Sequence, residues 1–197
     1  MLAYLFWHRP REGADAERYR EAQLAFHRSL ARNPPAGLRG SAIYLIPSVP
    51  WAEHGQPRAS YEDWYLLDDF AAMGVLGEAA VGRGHRTAHD SAASGFGSGA
   101  GGLYGLLEGE ATAQCLRSAT VAAWVGREPG SAKGRAAELL GDGMDPGSAS
   151  LWRRQFVLGP AAEFCVLGRE VPAGVSPERM PSGWSARVIE RELLSGG

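Results

Sequence analysis

Two adjacent arginines, Arg153 and Arg154, stand in an otherwise apolar stretch that reads SLWRRQFVLG from residue 150 to residue 159. Side chains alternate between the two faces of a strand, so Arg153 and Gln155 share one face, which we expect to line the interior. A buried guanidinium requires a partner, and its planar fork suits a carboxylate, enolate or phenolate oxygen of a ligand. The alternative is a structural ion pair with Glu163 or another acid.

His8 is the candidate acid–base residue. It ends an aromatic first strand, on the same face as Tyr4 and Phe6, and an imidazole exchanges protons near neutral pH. The predicted catalytic pair is His8, which moves a proton, and Arg153, which stabilises an oxyanion. The alternative for His8 is a structural histidine bonded to a backbone carbonyl. His27 borders the apolar stripe of the first helix and is predicted to be structural.

Aromatic side chains near these candidates favour a flat ligand. Trp7 and Trp64 fall within predicted strands, and together with Tyr4 and Gln155 they are the predicted ligand-binding residues. The alternative is that the tryptophans only pack in the core.

His85, His89 and Asp90 have the spacing of metal ligands on one face of a helix. In the zinc-protease motif a glutamate follows the first histidine, and Arg86 stands there instead. We therefore predict no metal and no bound cofactor. If the protein did bind a metal ion, His85, His89 and Asp90 would be the candidate ligands. Heme would require an axial histidine from His8 or from this segment.

Gly97, Gly99 and Gly102 satisfy the spacing G-x-G-x-x-G of a dinucleotide-binding loop. That loop should follow a strand and open a helix, whereas this segment follows a loop and runs into an apparent strand at Leu103. We therefore expect a mobile, glycine-rich segment, either a lid over a cavity entrance or plain flexible chain.

Composition excludes some classes of protein. The chain has 197 residues, a net charge of -2 and 45% hydrophobic residues, which gives no basic surface for nucleic acid or for an anionic membrane. Cys115 and Cys165 lack metal-ligand spacing, and the apolar N-terminus lacks the charge and cleavage site of a signal peptide. A soluble, cytoplasmic protein is expected.

The first half of the chain predicts the element order β-α-β-β-α-β, which is the order of a ferredoxin-like unit. The predicted elements are strands at 2–8, 40–46, 61–67 and 103–107 and helices at 15–32 and 70–81.

The second half resembles a reduced copy of the first. Strands are predicted at 118–126, 151–158, 163–167 and 187–194, with a short helix at 131–140. A segment rich in Pro and Gly at 172–183 stands where a second long helix would be. The predicted fold is therefore α+β, with two tandem ferredoxin-like units (1–112 and 113–197) whose antiparallel sheets pack as an α/β barrel, the second unit having reduced helices.

This element order resembles the dimeric α/β-barrel superfamily, which includes antibiotic-biosynthesis monooxygenases, polyketide cyclases, EthD-like proteins and the heme-using chlorite dismutase group. The resemblance covers most of the chain and rests on the order of elements, with no signature motif matched. It implies a cavity for a small molecule. A duplicated chain supplies both sheets, so a monomer is feasible, and exposed strand edges also permit a homodimer.

Three functions follow as predictions. The first is a small-molecule-binding protein that acts as a cofactor-independent enzyme on an aromatic or polyketide-like substrate. The second is a non-catalytic ligand-binding or structural protein, and the third is heme or metal binding through histidine. The sequence does not identify a reaction.

Overall fold

The computed structural model describes residues 1–52, 60–82, 84–128, 144–145, 147–155 and 161–196. Two predicted features lie outside these residues, namely the short helix at 131–140 and the Gly159-Pro160 corner.

The described residues form nine strands and four α-helices, which confirms the α+β class. The strands are β1 (Leu2–Pro10), β2 (Leu38–Ile46), β3 (Ser60–Leu67), β4 (Phe96–Gly109), β5 (Val121–Arg127), β6 (Ser150–Arg154), β7 (Phe164–Gly168), β8 (Trp184–Glu190) and β9 (Glu192–Gly196). The helices are α1 (Ala16–Arg32), α2 (Phe70–Ala80), α3 (Arg86–Ser94) and α4 (Ala113–Ser118). None of these helices is both long and apolar enough to cross a membrane.

Local sequence explains the ends of the helices that matter most for the site. Asp15 caps α1, because its carboxylate accepts the backbone N–H of Arg18, and the helix ends before Asn33-Pro34. Asp69 caps α2 in the same way through the N–H of Ala72. Both helices return the chain across the same face of the sheet.

All nine strands belong to one sheet, in the order β8-β5-β7-β6-β4-β1-β3-β2-β9, and every pair is antiparallel. β8 and β9 stand at opposite ends of this order, yet Arg191 alone separates them in the chain. The sheet is therefore strongly curled, with an inner face and an outer face.

The inner face is filled with aromatic side chains. Trp7, Trp64, Trp124 and Trp152 are each at most 1% exposed and pack edge to face, with ring centroids 5.2 Å apart for Trp7–Trp124 and 5.6 Å for Trp64–Trp152. Smaller residues from seven of the strands complete this core. The expected open interior is thus occupied by the protein's own core.

A buried ion pair lies within this inner core. Arg191 Nε is 3.0 Å from Glu62 Oε1, and both side chains are 0% exposed. Glu62 also accepts hydrogen bonds from the indole N–H groups of Trp7 and Trp64, each at 2.8 Å, and the Arg191 guanidinium lies 3.5 Å from the centre of the Tyr44 ring. These contacts hold the point where β8 passes into β9.

Three expectations about the elements require correction. The glycine-rich segment forms the ordered strand β4, whose glycines leave space for aromatic rings of β1. Helix α3 begins at Arg86, so of the three metal candidates only His89 and Asp90 lie on the helix and His85 precedes it. The last predicted strand, at 187–194, is interrupted at Arg191, whose side chain turns into the core.

Candidate functional site

A cavity of about 450 Å³ lies between the outer face of the sheet and the helices α1, α2 and α3. Its size falls within the range of about 300–1,000 Å³ that is usual for small-molecule sites. Aromatic side chains from the sheet form the floor, and apolar side chains of α2 and α3 form the roof. The main contributors are Tyr4, Phe6 and Tyr65 from the sheet, Phe26 from α1, Met73 and Leu76 from α2, and Ala92 from α3.

The polar end of the cavity consists of Tyr19, His8 and Asp63. His8 Nδ1 is 2.6 Å from the Tyr19 hydroxyl, and His8 Nε2 is 3.2 Å from Asp63 Oδ1. The three residues come from α1, the end of β1 and the middle of β3, and all three line the cavity. His8 and Asp63 are buried, so this hydrogen-bonded chain is shielded from water.

A second set of polar residues supports Asp63 from behind. Tyr65 donates its hydroxyl to Asp63 Oδ2 at 3.0 Å, and His27 Nε2 lies 3.6 Å from Asp63 Oδ1. His27 Nδ1 is in turn 2.9 Å from Ser41 Oγ. One carboxylate therefore lies between two imidazoles and a phenol.

Burial by itself raises the pKa of Asp63, but the charges and hydrogen bonds of His8 and His27 lower it by more, so this pKa lies below its ordinary value. Burial, and the charge of Asp63, raise the pKa of Tyr19 and of Tyr65. At neutral pH the carboxyl is therefore ionised and both phenols keep their protons.

These protonation states determine the direction of the hydrogen bonds. An ionised carboxylate only accepts, so His8 Nε2 carries the proton that points at Asp63. With that proton on Nε2, the other ring nitrogen, Nδ1, can accept the hydrogen bond of the Tyr19 hydroxyl. The His8 ring is also held between Phe6 and Tyr61, with centroids 5.2 and 5.3 Å away. The arrangement can pass a proton from Tyr19 to His8 and stabilise the resulting imidazolium with Asp63.

Two glycines of β4, and Gly95 just before this strand, let the aromatic walls of the cavity lie close to the sheet. A Cβ at Gly101 would lie 3.3 Å from Tyr4, one at Gly99 would lie 3.0 Å from Phe6, and one at Gly95 would lie 2.6 Å from Tyr19. The absence of side chains at these positions therefore sets where the walls stand. Of the three glycines with dinucleotide-like spacing, Gly99 has this role, whereas a Cβ at Gly97 would meet the backbone of Arg11 and one at Gly102 would meet the rings of Tyr104 and Trp7.

The structure separates the predicted site residues. His8 and Tyr4 line the cavity together, whereas Trp7 and Trp64 lie on the opposite, inner face of the same strands. The expectation that the tryptophans share a cavity with His8 is wrong, because successive side chains of a strand point to opposite faces.

Arg153 does not face the interior. Trp152 takes the inner position on β6, so the next residue points outward, and the Arg153 side chain is 51% exposed. Its guanidinium lies 3.5 Å from the Glu163 carboxylate. This ion pair is the structural alternative to a ligand contact of Arg153. Gln155 is exposed and donates to the backbone carbonyl of Arg153. Arg127 is the closer partner of Glu163, with two bonds of 2.6 and 3.0 Å.

The three metal candidates do not converge. His85 precedes α3 and its Nδ1 is 2.8 Å from Ser29 Oγ, while His89 lies 3.3 Å from Asp90 and packs its ring edge to face on Phe26. Within the described ranges, no group of three His, Cys, Asp or Glu side chains is placed to hold a metal ion.

Sequence reasoning missed Asp63, Tyr19 and Tyr65 and assigned His27 to structure alone. A signal was present in β3, which reads SYEDWYLL and is buried at every position. Two adjacent acids in a buried strand must face opposite sides of the sheet and must each be paired there. Glu62 is paired in the inner core, and Asp63 is paired beside the cavity.

Comparisons with known proteins add information about the fold. No family model matches the chain, and no curated protein matches it. A solved structure described as "anthrone oxidase-like protein" matches with a TM-score of 0.51 at 9% sequence identity, over 100% of this chain and 92% of that one. The two proteins therefore share a barrel-like α+β fold, which agrees with the superfamily resemblance in this coarse form.

Proposed function

We propose that the protein binds a flat, aromatic, polyketide-like small molecule in the cavity beneath α1, α2 and α3, and takes a proton from it without a cofactor. The observation that carries this proposal is the Tyr19–His8–Asp63 chain at one end of a mainly aromatic and apolar cavity. The description of the structural neighbour as anthrone oxidase-like supports a ligand of this class.

The proton step uses only groups of the chain. A C–H or O–H proton of the ligand passes to Tyr19 Oη while the phenolic proton passes to His8 Nδ1. The ligand keeps the electron pair as an enolate or phenolate, and Asp63 stabilises the imidazolium across the 3.2 Å contact. Both ring nitrogens of His8 are engaged, so Tyr19 is the group that touches the ligand's proton.

The tandem arrangement predicted from the sequence forms part of this proposal. The strand order β4-β1-β3-β2 of the first half has the same pattern as β8-β5-β7-β6 of the second, which supports two ferredoxin-like units with a boundary near residue 112. The helices that cover the cavity all belong to the first half. We therefore expect one site in each chain.

The test separates binding from proton transfer. Anthrone, which carries an acidic methylene group, is titrated by calorimetry under argon, and exchange of that methylene with D₂O is followed by proton NMR. Wild-type protein should bind anthrone and accelerate the exchange. Tyr19→Phe keeps the ring and removes the hydroxyl, so it should bind within about threefold of wild type and lose a factor of roughly 10² or more in exchange rate.

His8→Gln is the second variant, because it removes the base and leaves Tyr19 in place. It should lose exchange as Tyr19→Phe does, with anthrone still bound. Absence of saturable binding to the wild-type protein would overturn the proposal. Equal exchange rates in wild type and in both variants would overturn the proton step alone.

A non-catalytic ligand-binding protein is the second candidate, favoured by the engagement of both His8 nitrogens and by the stacking on both of its ring faces. Binding of anthrone without accelerated exchange would support it. Heme or metal binding through His8, His85 or His89 stays a prediction, checked by a Soret band and by elemental analysis. Small-molecule rather than nucleic-acid or membrane partners, a monomer or homodimer, and a cytoplasmic location also stay predictions.

A further inference from the structure

We propose that a second chamber beside the aromatic cavity binds an anionic group of the same ligand, so that the natural ligand is an aromatic acid. This inference rests on the proposed function for the aromatic part of the ligand. The second chamber is an open surface groove of about 500 Å³, lined mostly by exposed residues, between the start of α1 and the end of α3. Tyr19 lines both chambers and forms their common wall.

The second chamber carries two cations. Arg11 and Arg18 line it and are exposed. Among the residues that the structure describes, neither guanidinium has a carboxylate within 4.0 Å. Asp15 also lines the chamber, but its carboxylate accepts the backbone N–H of Arg18 as the cap of α1. The side chains of the chamber therefore carry two positive charges against one negative charge.

Polar groups of the opposite wall are already satisfied as donors. Ser91 donates its hydroxyl to the carbonyl of Thr87, and Ser94 donates to the carbonyl of Ser91. The two guanidinium groups are thus the donors best suited to recognise a ligand here, and their planar forks match a carboxylate.

The charges that line the two chambers favour the aromatic rings of such a ligand in the first chamber and its anionic group in the second. The aromatic chamber ends at the buried, ionised Asp63, and a second anion beside it in a poorly solvated site would be repelled. The second chamber offers the opposite charge on the other side of Tyr19. A ligand whose rings fill the first chamber can therefore place a carboxylate in the second.

The test uses a matched pair of probes, anthraquinone-2-carboxylate and anthraquinone-2-carboxamide, titrated by calorimetry at low ionic strength and at 1 M NaCl. Wild-type protein should bind the carboxylate about tenfold more tightly at low salt, and salt should remove most of this preference because both arginines are exposed. The double variant Arg11→Gln/Arg18→Gln should lose the preference while its affinity for the carboxamide is unchanged. Arg28→Gln, an exposed arginine of the same helix paired with Glu21, is the control and should retain it.

Each remaining outcome decides against the inference in a distinguishable way. Equal affinity of wild type for the two probes overturns the second chamber and leaves the proposed function standing. A preference that persists in the double variant places the cation elsewhere and overturns the assignment to Arg11 and Arg18. Failure of both probes and of anthrone to bind overturns the proposed function, and this inference with it.

Discussion

Gly95→Ala should break the hydrogen bond between Tyr19 and His8 although neither of these residues is substituted. Gly95 follows α3 directly and has φ -97° and ψ -2°, a conformation with negative φ that residues other than glycine also occupy. The added Cβ would lie 2.6 Å from Cδ2 and 3.3 Å from Cε2 of the Tyr19 ring, and the three nearest atoms all belong to that ring. Carbon atoms pack at about 3.5–4.0 Å, so the ring must move by roughly 1 Å.

A displacement of that size is larger than the hydrogen bond tolerates. The Tyr19 hydroxyl lies 2.6 Å from His8 Nδ1, and a hydrogen bond weakens steeply beyond about 3.2 Å. We expect Gly95→Ala to lose about 1 kcal/mol of folding free energy from this bond and to slow anthrone exchange by roughly 10- to 100-fold. The anthrone affinity should change less than the rate, because the apolar walls remain.

Nitrogen-15 NMR of the His8 ring is the direct assay, since the shift of Nδ1 reports the donated hydrogen bond. Gly74→Ala is the matched control, because a Cβ there meets nothing within 4 Å and the position does not line the cavity. A folded Gly95→Ala protein with an unchanged Nδ1 signal and an unchanged exchange rate would show that Gly95 does not set the position of the Tyr19 ring.

Three further predictions concern the charged groups. Because the pKa of Asp63 is lowered in the folded protein, its carboxylate stabilises the fold above about pH 4, and this stability is lost as the pH falls below that value. The free energy of unfolding in urea should therefore differ less between pH 6 and pH 3 for Asp63→Asn than for wild type. Equal differences in the two proteins would contradict this role of Asp63. Arg191→Met should lower the free energy of unfolding in urea by about 3–5 kcal/mol because it leaves the Glu62 carboxylate buried without its partner. The double variant Arg191→Met/Glu62→Gln should recover much of that loss. Additive losses from the two substitutions would contradict the pairing. Arg153→Ala should change the free energy of unfolding by less than about 1 kcal/mol, since the Arg153 side chain is half exposed. Arg127→Ala should lower this free energy by more, because the two hydrogen bonds of Arg127 to Glu163 are largely shielded from water. The reverse ranking would show that Arg153 is the main partner of Glu163.

The sequence predicted β1, α1, β2, β3 and α2 of the first half and the alternation along β1. Ala3, Leu5 and Trp7 share one face, and Tyr4 and His8 share the other. Alternation divides a strand into two faces, but it does not say which face the helices cover. Alternation therefore could not show that the tryptophans fill the inner face and that the cavity lies on the outer face.

Other features of the site depend on contacts between distant parts of the chain. Tyr19, His8 and Asp63 come from three elements, so no spacing in the sequence marks them as a set. The glycines of β4 disfavour a strand by local propensity, and packing beneath Tyr4 and Phe6 overrides that preference. Alternation alone also could not show that Arg191 turns inward and interrupts the last strand.

The position of a bound ligand in the fold can be measured directly. The methionine methyl groups are suitable probes, because Met73 lines the cavity whereas Met144 and Met180 pack on a separate cluster on the outer face of the second half. In protein labelled with methyl-¹³C methionine, titration with anthraquinone-2-carboxylate should shift the Met73 signal and produce nuclear Overhauser contacts between its methyl group and the ring protons. The Met144 and Met180 signals should stay in place. Saturable binding that leaves Met73 unchanged would contradict the claim that the cavity beneath the helices is the binding site.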